Sequence, residues 1–142
     1  MTPADLLAAT RDMLQRQAPT AIGGWPRAVA LLTRQALEKA MEELWKASPT
    51  TVGLCSCTMR TQLICLPTYL DHSLSGDVNY VWAALSSACH YHPYDLAPTA
   101  AELGGWIDSV AALVTALGDM AADSTRPVSD GQAPVTGHVG QS

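Results

Sequence analysis

The chain has no phenylalanine, few runs of β-branched residues and only four histidines among its 142 residues. Its 48% hydrophobic content is supplied by Ala, Leu, Val, Met and Trp, a palette that favours helices over strands. No alternating strand pattern and no internal repeat is present. Basic residues are scarce: eight Lys and Arg stand against thirteen Asp and Glu, for a formal net charge of −5, and the eight are scattered. That argues against a large nonspecific nucleic-acid surface, which works by neutralising phosphates, but leaves room for a small local RNA site. No uninterrupted apolar run reaches the roughly 18 residues that a membrane span needs. The opening MTPADLLAATRDMLQRQ carries charges inside its apolar pattern, unlike a signal peptide. A cytoplasmic protein without membrane association is therefore expected. Its four cysteines should be reduced, and Cys55 and Cys57 stand too close for a mutual disulfide.

What is present reads as an all-α, up-down helical bundle of four to five helices, a single domain over residues 1–122 with a disordered tail over 123–142. Thr2 caps a first helix that carries Pro3 at its start and runs to about Gln17. A second, Pro26 to about Ala47, places Val29, Leu32, Leu37, Met41 and Leu44 at helical spacing. Its polar positions form the pairs Arg34/Glu38, Lys39/Glu43 and Glu42/Lys46, read as a solvated face. Ser48 to Gly53 reads as a turn. A third helix runs from about Ser56 to Leu70, kinked or shortened by Pro67. Asp71 to Gly76 reads as a polar break before a fourth helix, Asp77 to His92, whose stripe is Val78, Trp82, Leu85, Cys89 and His92. Thr99 and Glu102 make the capping box of a fifth helix that closes near Gly118.

Chemistry-bearing residues crowd into one stretch, LSSACHYHPYDLAPTAAE, from Leu85 to Glu102. It gathers Cys89, His90, Tyr91, His92, Tyr94 and Asp95 where the fourth helix stops. One reading makes Cys89 and His92 core-facing residues at a helix end, with His92 at least half buried and His90 more exposed. A zinc site combining Cys55 and Cys57 with Cys89 and a histidine lacks the usual two-armed spacing, so neither a metal nor another cofactor is expected. A Cys89 or Cys65 nucleophile needs an exposed, activated thiolate, and Cys89 lies on the apolar stripe.

The helix RQALEKAMEELW (Arg34 to Trp45), followed by a helix ending in a histidine before an aromatic residue and a proline, resembles the HEPN superfamily of small helical-bundle domains. The likeness covers about Trp25 to Leu117. Carried onto this sequence, the R-x₄₋₆-H motif of that family puts its histidine at His92 and its arginine at Ser87, so the arginine is replaced by serine. No arginine lies between Arg60 and Arg126. The resemblance implies a homodimer linked to RNA metabolism or to a toxin/defence pair, with a protein partner such as an antitoxin. It also implies a metal-independent ribonuclease in which His92 is the acid/base group. Without the motif arginine that activity is expected to be weak or lost. His90 is the candidate second cation, and Tyr91, Tyr94 and Asp95 the candidates to orient it. The alternative is a non-catalytic protein–protein interaction module whose exposed Trp25, Trp106 and Pro67 surfaces bind a protein partner or a second copy of the chain.

Overall fold

A computed structural model describes residues 1–17, 23–90 and 96–127. Among these every element is helical: α1 (Pro3–Gln17), α2 (Trp25–Lys46), a 3-10 helix (Val52–Ser56), α3 (Met59–Tyr69), α4 (His72–Cys89) and α5 (Ala100–Thr125). Four of the five α-helices start on a side chain that holds one of their first free N–H groups. Thr2 accepts from the Asp5 amide at 3.1 Å, Thr58 from Thr61 at 3.3 Å, Asp71 from Leu74 at 2.7 Å and Thr99 from Glu102 at 3.1 Å. α2 instead follows Gly24 and carries Pro26 in its first turn, where a missing N–H costs nothing.

Several boundaries differ from those read in the sequence. The stretch before Met59 is taken by the 3-10 helix, and Thr58 starts α3 two to three residues later than expected. α4 begins at His72, so the residues read as a polar break form its first turns, with Asp71 as cap and Ser75 buried. It ends at Cys89 rather than His92, because His90 turns extended at ψ 132°. α5 continues past Gly118 to Thr125, since the apolar stripe through Leu117 goes on to Met120 and Ala121. Asp123 to Thr125 are thus helical, and residues 128–142 of the expected tail lie outside the described residues.

Chain direction alternates as an up-down bundle requires. Arg11 pairs with Asp108 at 3.1 Å while Leu14 approaches Gly104, so α1 runs antiparallel to α5. Glu38 meets Trp82, and Arg34 lies near Cys89, so α2 runs antiparallel to α4. α2 is the central element, packed on α1, α4, α5 and the 3-10 helix. Val29, Ala36, Leu37, Met41 and Trp45 are almost wholly excluded from solvent. α3 crosses the far end, where the Trp45 and Tyr69 rings meet edge to face at 5.6 Å.

The charged pairs of α2 are less uniformly solvated than their spacing suggests. Lys39 pairs with Glu42 at 3.5 Å rather than with Glu43, and Lys46 also bonds Glu42. Arg34 and Glu38, 3.3 Å apart, are largely covered, and Glu38 accepts a hydrogen bond from the Trp82 indole at 3.1 Å. This pair ties α2 to α4 and is not a free outer face.

Candidate functional site

The antiparallel run of α4 against α2 and α5 brings the end of α4 beside the beginnings of the other two. A cavity of about 400 Å³ opens there, lined by Arg27 of α2, by Ala84, Ser87, Ala88 and His90 of α4 and its cap, by Leu96 and Pro98, and by Glu102 and Trp106 of α5. Ser87 is exposed on the last turn of α4. His90 is also exposed, and its backbone N–H donates to the Ser87 carbonyl at 3.3 Å. His92, Tyr94 and Asp95, with Tyr91 and Pro93, lie outside the described residues. The helical register that placed His92 on the stripe of Trp82, Leu85 and Cys89 does not reach it, because α4 stops at Cys89.

Sequence reasoning missed Arg27, and it read Trp106 as a surface for a protein partner and Glu102 as a cap without bringing either to this corner. No lysine or arginine lies near Ser87 along the chain. Arg27, sixty positions earlier, lines the same cavity because α2 returns alongside α4. The signal for it was the antiparallel pairing of the second and fourth helices, with the start of one against the end of the other. Glu102 was recognised as a capping residue, and that role holds: its Oε1 lies 3.1 Å from the Thr99 hydroxyl and 3.5 Å from the Thr99 amide. Those bonds fix the direction of the carboxylate. Trp106 follows it by one turn on the same helix and is half-buried at the cavity wall. The cavity lining therefore combines an indole, a guanidinium and a carboxylate.

Cys89 does not suit a nucleophile. It is partly buried, and desolvation pushes its thiol up, with Arg34 nearby only partly offsetting that and Glu38 adding to it. At neutral pH the thiolate population falls below that of an ordinary cysteine. Cys55 and Cys57 point their thiols at the carbonyls of Glu42, at 3.7 Å, and Gly53, at 3.9 Å. Among the described residues no three His, Cys, Asp or Glu side chains converge closely enough to hold a metal ion.

Two further concavities open elsewhere on the surface. A groove of about 330 Å³ between α4 and α5 is lined by Asp77, Tyr80, Val81, Trp106, Ser109, Ala112 and Leu113. It shares Trp106 with the larger cavity. A smaller one of about 170 Å³ sits at the far end, beside Trp45, Tyr69 and Met120. No protein family, curated protein or solved structure matches the chain.

Proposed function

We propose that the protein is a HEPN-like helical dimer that engages RNA, in RNA metabolism or in a toxin/defence pair with a protein antitoxin, and that its metal-independent ribonuclease activity is weak or lost. The observation that supports this reading is Arg27 lining the same cavity as Ser87 and His90. The sequence lacks an arginine at the motif position. An arginine from α2 supplies a guanidinium to the same corner, and guanidinium is the side chain best matched to phosphate. In this reading Arg27 binds the phosphodiester and His92 takes the acid/base role that the resemblance gives it. Attack by the 2′-hydroxyl then lacks a charge at the motif position. One missing preorganised charge costs about 100- to 1,000-fold in rate.

The test is cleavage of single-stranded RNA in the presence of a chelator. Wild type should cleave slowly or not at all, Ser87→Arg should raise the rate, His92→Ala should abolish whatever is present, and Arg27→Ala should weaken RNA binding. Robust cleavage that survives His92→Ala would overturn the assigned site.

A second reading, a non-catalytic interaction module, draws on the groove between α4 and α5, where Tyr80 is 72% exposed beside Val81 and Ala112. Absence of RNA binding together with a stable complex through that groove would favour it.

A further inference from the structure

We propose that the 400 Å³ cavity is a pocket for one nucleotide carrying an amino-bearing base, as a residue of single-stranded RNA or as a free nucleoside monophosphate. The inference rests on the RNA-linked reading above and adds to it which part of the ligand each wall takes. The volume lies inside the range of about 300–1,000 Å³ typical of small-ligand sites. Three chemically different walls converge on it. Trp106 offers an aromatic surface on which any base stacks. Glu102 stands one turn before it, its Oε1 engaged by Thr99 and its Oε2 without a hydrogen bond among the described residues. Arg27, with the exposed imidazole of His90, supplies the basic side of the same cavity.

A carboxylate is an acceptor only. It takes a hydrogen bond from the exocyclic amine of adenine or cytosine and repels the carbonyl edge of uracil. It also repels phosphate, so the phosphate sits at Arg27 and the base at Glu102, with the indole beneath the base. The capping box supports this assignment, because the bonds that start α5 also hold the carboxylate in one direction before a ligand arrives.

The test is calorimetric titration of the full chain with adenosine 5′-monophosphate, uridine 5′-monophosphate, adenosine and inorganic phosphate, repeated with an adenosine octanucleotide. Adenosine 5′-monophosphate should bind about tenfold more tightly than either the uridine nucleotide or adenosine. Arg27→Gln should remove the advantage of the nucleotide over adenosine. Glu102→Gln, which keeps the cap acceptor but adds a donor, should remove the preference for adenine over uracil. Trp106→Leu should weaken every ligand that carries a base. If that variant unfolds, the two glutamine variants decide the matter. Failure of adenosine 5′-monophosphate to bind, or binding indifferent to both glutamine variants, overturns the pocket. Octanucleotide binding that ignores both variants overturns the pocket and keeps the RNA reading. Mononucleotide binding that depends on them, without octanucleotide binding, keeps the pocket and overturns the RNA reading.

Discussion

Trp45 is 1% exposed, and its indole N–H has to find an acceptor inside the protein. It donates to Gln62 Oε1 at 2.9 Å, while Gln62 Nε2 donates to the Cys57 carbonyl at 2.9 Å and Thr51 closes over the Trp45 carbonyl at 2.7 Å. Replacing Gln62 by Leu strands a buried donor and a loop carbonyl, and should cost about 1–3 kcal/mol in urea unfolding. A loss below about 0.5 kcal/mol would mean that water reaches the indole. The burial of Trp45 was legible in the spacing of α2, but its partner was not, since Gln62 lies 17 residues further on in another helix. Cys89 gives a second prediction at this scale. Its thiol is held above its ordinary value by burial, so the folded state keeps the proton that the unfolded chain releases. The stabilising contribution is fully present below the ordinary thiol value of about 8.5 and declines as pH rises beyond it. Wild type should therefore lose stability more steeply than Cys89→Ala as pH rises above the ordinary thiol value. Parallel slopes for the two proteins would refute it.

Helix α4 shows where reading by composition fails and why. Asp, Ser and Gly in the stretch Asp71 to Gly76 are the residues of turns, and by local preference they read as a break. The same Asp is also a strong helix cap, and tertiary packing decides between the two uses: Leu74 and Ser75 lie against the body of the protein, so the helix begins immediately after Asp71. Gly76 is then an exposed residue inside a helix, and a Cβ placed on it would meet nothing within 4 Å. Gly76→Ala should accordingly stabilise the protein by about 0.4–1 kcal/mol, chiefly by restricting the unfolded chain. Asp71→Ala should cost about 1 kcal/mol through loss of the bond to the Leu74 amide. Both are read from denaturation midpoints, and a destabilising Gly76→Ala would place the break back where the sequence suggested it. The capping box at Thr99 was legible without any structure, because both of its partners lie within one turn. The far end of α5 was not, since Gly118 is a stop signal only where the apolar stripe ends with it.

At the scale of the whole molecule, the order of helices follows from the short connections, and the site follows from the order. Because α2, α4 and α5 alternate in direction, residues 27, 87 to 90 and 102 to 106 share one corner although no local motif joins them. The same arrangement leaves one side of α5 uncovered. Its stripe of Leu103, Ile107, Val110, Leu113 and Leu117 faces the core, and its exposed positions are small or polar, among them Gly105, Asp108, Ser109, Ala112 and Asp119. By length and composition alone such a helix is long and apolar enough to cross a membrane. In this fold Gly105, Ser109 and Ala112 are exposed along it, and Tyr80 of α4 stands 72% exposed beside the groove. Small residues let two helices approach closely, and in the proposed homodimer the exposed Tyr80 next to them is the aromatic anchor. A stable homodimer covers about 800 Å² on each protomer, which the groove and the outer side of α5 together must supply. Light scattering at tens of micromolar is expected to give a dimer, and Tyr80→Glu a monomer of unchanged helicity, because Tyr80 contributes little to the core. A wild-type monomer at high micromolar concentration would refute the dimer. Since Trp106 lines both the groove and the proposed nucleotide cavity, a second copy seated in the groove would touch a wall of that cavity. Monomeric Tyr80→Glu should therefore bind adenosine 5′-monophosphate more weakly than wild type, and equal affinity would show that the two surfaces act independently.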